Sequence, residues 1–291
     1  MNSKRWLFLG VGIAVFLVGI GLVALKRSAA SLPMGIPSPE GGKIAPRAIS
    51  SSEENIRAAT AKTLLAQAER ARIEGSLWEA KQLYQQILQQ VPTSDVAATV
   101  QQRIGEVNLK LLLSPTPTPD SMTYEVQPGD TLSKIAKKFH ATVQLLKAAN
   151  DLTDDRIRPS QRLKVSKAAF SVIVDKSQNT LTLKNGEEVL KIYRCSTGRG
   201  GNTPAGTFRI INRIIDPPWY SPDGVIPPGD SRNPLGSRWL GFDEPRYGIH
   251  GTIDPSSIGK QVTKGCVRLA NADVEELFTL LPEGTPVTIV E

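Results

Sequence analysis

The chain has 291 residues and a formal net charge of +7, and this length suits two or three folded modules joined by linkers. Its lysines and arginines are scattered among acidic residues without a basic stripe, so the composition excludes a nucleic-acid-binding protein and favours an anionic polymer or a membrane surface as partner. Two cysteines exclude a disulfide framework, and because no metal-binding motif occurs we predict neither a metal site nor a cofactor.

The first predicted element is an apolar segment at residues 7–25, which carries no charge and is flanked by basic residues on both sides. As a helix it would span about 28 Å, close to the thickness of a hydrocarbon core. We therefore predict a transmembrane helix within residues 1–27 that attaches the chain to the cytoplasmic membrane. A cleaved signal peptide is the alternative, because small residues follow at 28–30. Residues 28–53, rich in Pro, Gly, Ser and Ala, predict a flexible linker.

Residues 54–113 carry apolar residues at three- and four-residue steps, which predicts helices. Four positions resemble the second half of a tetratricopeptide repeat: Gly75, Ala80, Tyr84 and Pro92. We expect an α-helical hairpin with a third helix that starts at Ser94 or Asp95. A single repeat buries its own face poorly, so the segment serves either as a structural spacer or as a docking surface. Residues 114–121, in which Ser or Thr alternates with Pro, predict an extended linker.

Residues 122–167 predict a small α+β domain of βααβ order. A short strand at 124–126 precedes a turn and two apolar helical faces, and a second strand lies at 162–165. The segment resembles the LysM domain along its whole length, with Ser160 at a turn position where the family more often has glycine. The resemblance implies binding to glycans that contain N-acetylglucosamine, in a groove flanked by six residues: Gly129, Asp130, Thr131, Leu132, Arg156 and Ile157. Helix capping is a further role for Asp130 and Thr131.

In residues 168–291 apolar and polar residues alternate, which predicts a mostly-β domain. Asn185 and Gly186 between two such runs predict a hairpin, and residues 273–281 predict one amphipathic helix. Residues 216–236 contain six prolines, and a loop of this length is usually functional or disordered. We expect this loop to form a wall or lid over a cleft.

A base, a nucleophile and a cation follow one another near the C-terminus: His250, Cys266 and Arg268. The chain has two histidines and two cysteines, and of these His250 and Cys266 lie in glycine-rich, loop-like settings where backbone approaches a substrate closely. A thiol needs a neighbouring base or cation to react at neutral pH, so the pattern indicates a Cys/His acyl-transfer site. A buried thiol with a hydrogen-bonded histidine is the structural alternative.

Residues 169–291 resemble the YkuD-like L,D-transpeptidases of bacterial cell-wall synthesis. The resemblance rests on five segments in the family's order: residues 196–198, 203–208, 233–236, 250–252 and 265–269. It implies a β-sandwich-like core with the nucleophile Cys266 in a cleft. It also implies His250 as the base, positioned through the backbone carbonyl of Gly251.

The same resemblance assigns supporting roles around the thiol. Backbone N–H groups near Gly265 and Cys266 are the expected oxyanion donors. Arg268 is expected to hold a substrate carboxylate, with a structural ion pair as its alternative role. Thr263 and Lys264 stand where many members have Ser-His, so no second histidine assists, and we expect the lysine to lower the pKa of the thiol.

The implied enzyme forms a thioester on Cys266 and transfers the acyl group to an amine of a second stem peptide or of a protein lysine, which crosslinks peptidoglycan. Its catalytic domain would face the periplasm or the cell-wall side of the inner membrane. Hydrolysis of the thioester by an L,D-carboxypeptidase is one alternative, and a non-catalytic wall-binding scaffold is another. The LysM-like module is expected to concentrate wall substrate without taking part in the chemistry.

Overall fold

The computed structural model describes residues 51–92 and 95–291. The predicted transmembrane helix within residues 1–27, and nearly all of the linker at 28–53, lie outside these residues. Within the described part of the chain, no helix is both long and apolar enough to cross a membrane.

The first described segment is helical, as predicted. It consists of α1 Ser51–Ile73, α2 Leu77–Gln90 and α3 Asp95–Leu112. Gly75 lies between α1 and α2 with a φ of 83°, a left-handed conformation that favours glycine. The three helices enclose a small core of their own that contains Ala68, Ala80 and Tyr84.

The LysM-like segment has the predicted βααβ order. Strands β1 Ser121–Glu125 and β2 Arg162–Ser166 pair in antiparallel fashion, and α4 Leu132–Lys138 and α5 Val143–Ala148 lie between them in sequence. Each helix is capped by a threonine hydroxyl, which accepts a backbone N–H three residues later. These caps satisfy N–H groups that a helix leaves unpaired at its first turn.

The serine that departs from the LysM pattern has a φ of 66°. A Cβ atom disfavours this left-handed conformation, which explains why glycine suits the turn. We expect Ser160→Gly to raise the free energy of unfolding by about 0.5–1 kcal/mol in denaturant titrations. The control Ser133→Gly, inside α4, should instead lower it by several tenths of a kcal/mol. A Ser160→Gly protein less stable than the wild type would contradict this explanation.

The C-terminal domain contains the remaining strands and one longer helix. Its elements are β3 Phe170–Asp175, β4 Thr180–Asn185, β5 Glu188–Arg194, β6 Thr197–Gly198, β7 Gly206–Ile215, β8 Trp219–Ser221, β9 Gly224–Ile226, β10 Arg238–Phe242, β11 Gly248–His250, β12 Gln261–Thr263, β13 Val267–Arg268, α6 Asn271–Leu280 and β14 Pro286–Val290. The predicted hairpin at Asn185 joins β4 to β5, with Gly186 at a φ of 56°.

Eight of these strands form one sheet in the order β13-β11-β10-β7-β14-β3-β4-β5, so the domain is mostly β, as predicted. The long strand β7 joins the two halves of this sheet, because its first half pairs with β14 and its second half with β10. Buried side chains from both halves of the sheet and from α6 make one core.

The helical segment packs against the last strand of this sheet. Asn108 of α3 donates its side-chain N–H to the carbonyl of Leu190 in β5 at 2.9 Å, and Lys81 of α2 forms an ion pair with Glu188 at 2.7 Å. Leu109 of α3 is buried in the core of the C-terminal domain. An uncovered edge strand exposes unpaired backbone groups. The segment therefore covers this edge, and its role as a structural spacer or as a docking surface stays a prediction.

The LysM-like domain also packs on the C-terminal domain. Leu146 of α5 lies in the core of its own domain, whereas the adjacent Leu145 lies in the core of the C-terminal domain. Thr142 donates its hydroxyl to the carbonyl of Thr279 near the end of α6. Both domains belong to one compact unit, residues 49–291. The two domains are therefore packed against each other as well as joined by the short loop between β2 and β3.

The segment predicted as an extended linker is tied to the LysM-like domain. Lys164 of β2 donates from Nζ to the carbonyls of Leu111 and Ser114 at 2.6 and 2.8 Å. Burial lowers the pKa of this lysine to about 8. Lys164 thus fixes the start of the linker by binding it and the end of α3 to β2.

Candidate active site

Strands β11 and β13 place two predicted site residues on one face of the sheet. The two strands are parallel, with Ile249 opposite Val267 and His250 opposite Arg268. Ile249 and Val267 are fully buried in the core, and neighbouring side chains in a strand point to opposite faces. His250 and Arg268 therefore lie on the face away from that core. Cys266 comes just before β13, two residues from Arg268, and is partly buried.

His250 is 4% exposed, and its ring is held from two directions. Its Nδ1 lies 2.7 Å from the carbonyl oxygen of Gly251, and a carbonyl only accepts, so Nδ1 carries the proton and Nε2 is the free base. Trp239 of β10 stacks on the imidazole with ring centroids 6.1 Å apart. Burial lowers the pKa of His250 to about 4, against the opposing effect of the Gly251 bond. At neutral pH the imidazole is therefore uncharged and able to accept a proton.

Cys266 is a protonated thiol at neutral pH. Its Sγ donates to the carbonyl of Arg246 at 3.4 Å. Burial raises the pKa of the thiol to about 11, while the backbone of Gly248 and the charge of Arg268 lower it. Arg268 is thus the cation that acts on the thiol. Lys264, expected to have this effect, has its Nζ 5.8 Å from the centre of the Trp219 ring.

The turn before Cys266 is fixed by Thr263. Its hydroxyl donates to the carbonyl of Cys266 at 2.7 Å and accepts the N–H of Gly265 at 3.1 Å. Gly265 has a φ of 140°, and a Cβ there would lie 2.6 Å from the Tyr247 ring, so the turn requires glycine. Of the two expected oxyanion donors, the N–H of Gly265 is already bonded to the Thr263 hydroxyl. The N–H of Cys266 is therefore the remaining candidate donor.

Arg268 forms no ion pair with a carboxylate among the described residues. Its Nη1 donates to the Ser257 hydroxyl at 3.0 Å, and its Nε is buried without a hydrogen-bond partner. The backbone of Arg268 is bonded to Ser196 in both directions at 2.8 Å, which fixes the strand from its open side. The guanidinium is therefore held in place without a direct ion pair. Burial lowers the pKa of Arg268, and the charge of Asp254 opposes this effect by raising it.

The proline-rich loop at 216–236 reaches the site. Its β8 and β9 strands form a hairpin, and the buried Asn233 ties the loop to itself by donating to the carbonyl of Pro217 at 2.9 Å and accepting the N–H of Leu235 at 3.0 Å. The Leu235 backbone acts on His250 by raising its pKa, and Trp219 lies beside Lys264. The loop thus contacts both the histidine segment and the cysteine segment.

The C-terminal domain matches the YkuD family, described as the L,D-transpeptidase catalytic domain, over residues 169–289. YkuD of Bacillus subtilis strain 168, which is named as an L,D-transpeptidase, is 36% identical over 175 residues that cover 58% of this chain and 98% of YkuD. The chain belongs to the YkuD family of L,D-transpeptidases. It is a cysteine-dependent L,D-transpeptidase, and it also matches the LysM domain over residues 124–166.

Further relatives have the same description. YqjB of Bacillus subtilis, also named as an L,D-transpeptidase, is 39% identical over 126 residues that cover 41% of this chain and 70% of YqjB. Among solved structures, an L,D-transpeptidase from Mycobacterium smegmatis is 17% identical with a TM-score of 0.37, over 45% of this chain and 64% of that one.

Three of the residues predicted to flank a glycan groove make contacts within the LysM domain of this transpeptidase itself. Asp130 accepts the Tyr124 hydroxyl and the Gln127 N–H, both at 2.8 Å, and Thr131 caps α4. Leu132 is 2% exposed and lies in the LysM core. The capping role proposed for Thr131 is thus observed, and the buried Leu132 side chain is not available to a ligand.

The other residues of the predicted groove lie nearer the surface. Arg156 is exposed and donates to Asp154. Ile157 packs against the same core as Leu132. Gly129 accepts a hydrogen bond from Lys134 through its carbonyl. Glycan contacts by these residues stay a prediction.

Two residues of the transpeptidase site were not predicted from the sequence. Trp239 covers His250. It lies in β10 two residues from the buried Gly241, so strand alternation alone could have placed both residues on one face of the sheet. Asn271, which binds the backbone beside Gly251, stands at the start of a helix, where asparagine is ordinarily interpreted as a cap.

The Trp239 ring, which covers His250, should affect how the acylation rate depends on pH. A general base acts in its uncharged form, so acylation should be lost as pH falls through the pKa of His250, about 4. Trp239→Ala admits water and should raise this pKa toward the ordinary value of 6.5. The acid limb of the pH–rate profile for acylation should then move to higher pH. Trp239→Phe, which keeps a stacked ring but loses the bond to Asn212, should retain the wild-type limb. An unchanged limb in Trp239→Ala would contradict the explanation.

Proposed function

We propose that this enzyme crosslinks peptidoglycan stem peptides, or attaches a protein lysine to them, through a thioester on Cys266. The sulfur attacks the carbonyl carbon of an L-configured centre in a stem tetrapeptide while His250 Nε2 takes the thiol proton. The amide C–N bond then breaks, and the proton passes to the leaving D-amino acid, such as D-alanine. This half-reaction leaves the thioester and a free D-amino acid.

An acceptor amine completes the transfer. Its nitrogen attacks the thioester carbonyl, the C–S bond breaks, and the proton lost by the amine returns through His250 to the sulfur. The thioester retains the energy of the cleaved amide, so the new amide forms without ATP. The N–H of Cys266 is the proposed oxyanion donor, and Arg268 is the proposed partner of a substrate carboxylate.

The single observation that carries this proposal is the pairing of β11 with β13, which sets His250 beside Arg268, two residues from Cys266, with Nδ1 of the histidine bonded to Gly251. The uncharged His250 and the protonated Cys266 suit a transfer of the thiol proton during attack, and not a thiolate formed beforehand. Arg268 supports the proposal because no carboxylate forms a direct ion pair with it among the described residues.

We also propose where the enzyme acts. Its substrate lies outside the cytoplasmic membrane, so a single-pass inner-membrane helix at residues 7–25 would hold the catalytic domain on the periplasmic or cell-wall side. The LysM domain would bind N-acetylglucosamine-containing glycan. Because Leu145 fixes that domain on the C-terminal domain, the glycan would be held at a constant position relative to Cys266.

Product analysis tests the proposed reaction. The enzyme is incubated with a disaccharide-tetrapeptide alone, then with a stem-peptide amine or a lysine-containing peptide, and products are identified by mass spectrometry. Crosslinked dimers that lack one D-amino acid support transpeptidation, and a conjugate with the lysine peptide identifies attachment. Tripeptide products without any conjugate would replace the proposal with an L,D-carboxypeptidase, and unchanged substrate in every arm would favour a scaffold.

A further inference from the structure

The side-chain amide of Asn271 joins two segments of the active site. Its Oδ1 accepts the N–H of Thr252 at 3.0 Å and the N–H of Ser237 at 3.2 Å, and its Nδ2 donates to the carbonyl of Thr252 at 2.9 Å. Three hydrogen bonds from one side chain thus fix the chain just before β10 and just after β11. Asn271 itself is the first residue of α6, whose later residues Val274, Leu277 and Phe278 are buried in the core, so the amide stands on a rigid element.

Two glycines make room for this amide. A Cβ on Gly251 or on Gly236 would overlap Asn271 Oδ1. Gly236 also has a φ of 67°, in the left-handed region that favours glycine. Both glycines belong to segments by which the sequence resembles the family, and the structure gives a physical reason for them that the sequence alone did not.

The bond from Thr252 reaches His250 through a single peptide group. The N–H of Thr252 and the C=O of Gly251 belong to the same planar peptide. Asn271 binds the N–H end of this group, and His250 Nδ1 binds the C=O end at 2.7 Å. Rotation of that peptide would break both bonds together. A hydrogen bond at one end of a peptide also polarises the other end, which strengthens the bond that the carbonyl accepts.

We infer that Asn271 is a positioning residue, which holds His250 in its Nδ1-protonated tautomer through the Gly251–Thr252 peptide. The inference deepens the proposed role of His250 as the base. Nε2 can accept the thiol proton of Cys266 only while Nδ1 keeps its own proton, so loss of the amide should lower the fraction of His250 in the reactive form.

The first test is kinetic. Asn271→Ala should lower kcat/KM for acylation about 10- to 100-fold, as found when partners that orient a functional histidine are removed, mainly through kcat. Asn271→Asp keeps an acceptor for both N–H groups and should recover much of the loss. Asn150→Ala is the matched control, because Asn150 also makes three hydrogen bonds, all within the LysM domain, and it should retain wild-type kcat.

The second test needs no turnover. The chain has two histidines, so spectra of protein with 15N-labelled histidine contain two imidazoles, and His140→Asn identifies the signal of His250. We expect protonated Nδ1 and bare Nε2 in the wild type and in Asn271→Asp, and a shift toward mixed tautomers in Asn271→Ala. A folded Asn271→Ala with the wild-type tautomer would overturn the inference, whether or not kcat falls. The predicted tautomer shift in an enzyme that forms no thioester would instead reject the proposed function and leave the inference standing.

Discussion

Replacing Cys266 with alanine is expected to abolish acylation and reduce turnover to the uncatalysed background, because no other thiol can take its place. Cys195 is fully buried in the core, and burial raises the pKa of its thiol to about 12. The measurement is the intact mass of the protein after incubation with disaccharide-tetrapeptide, or with a carbapenem as the family resemblance suggests.

Cys195→Ala is the matched control for this prediction. It should acquire the same added mass as the wild type, even if its smaller core side chain lowers stability. An adduct that persists in Cys266→Ala, or one that disappears in Cys195→Ala alone, would remove Cys266 from its assigned role.

Replacing His250 with alanine is expected to slow acylation about 10²- to 10⁴-fold at neutral pH, the range typical of a lost general base. The thiol, whose pKa is about 11, then ionises only through bulk solvent. Below that pKa the residual rate should rise about tenfold with each pH unit, as the fraction of thiolate increases. The rate of adduct formation between pH 6 and 10 tests this directly.

The other histidine supplies the control. His140 lies in the LysM domain with a φ of 49°, and asparagine tolerates this conformation, so His140→Asn should acylate at the wild-type rate. An unchanged rate near pH 7 in His250→Ala would assign the proton transfer to another group, with Lys264 or water as the candidates.

The sequence predicted the elements of this molecule better than their assembly. Alternation identified the strands and the 3.6-residue period identified the helices, because those patterns arise within one element. The order of strands in the sheet depends on contacts far apart in sequence. The two different partners of β7, which join the two halves of the sheet, left no local signal.

The domain contacts were missed for a similar reason, although one residue carried a hint. In α5, Leu146 packs in the core of the LysM domain, whereas Leu145 lies in the core of the neighbouring domain. An apolar residue on the second face of a short helix is therefore a usable sign of contact with another domain.

The candidate site shows the same division. His250 and Cys266 were predicted because the chain has two histidines and two cysteines and because the glycines around them are distinctive, and Arg268 because it follows Cys266 by two residues. Trp239 and Asn271 were not predicted, since each acts through a neighbour that only the folded chain provides. The pKa values of the pair also required the fold, because burial, which the sequence does not report, dominates both.

A pulse-and-chase measurement of intact mass tests directly whether Cys266 forms a thioester and whether an amine then discharges it. Wild-type enzyme is mixed with disaccharide-tetrapeptide for a short pulse, quenched and mapped by peptide mass spectrometry, and a parallel sample receives a stem-peptide amine before quenching. We expect an added mass equal to the donor without its terminal D-amino acid, located on the peptide that contains Cys266 and lost in the chased sample as a crosslinked product appears. An adduct on any other residue, or crosslinked product formed at the full rate by Cys266→Ala, would contradict this expectation.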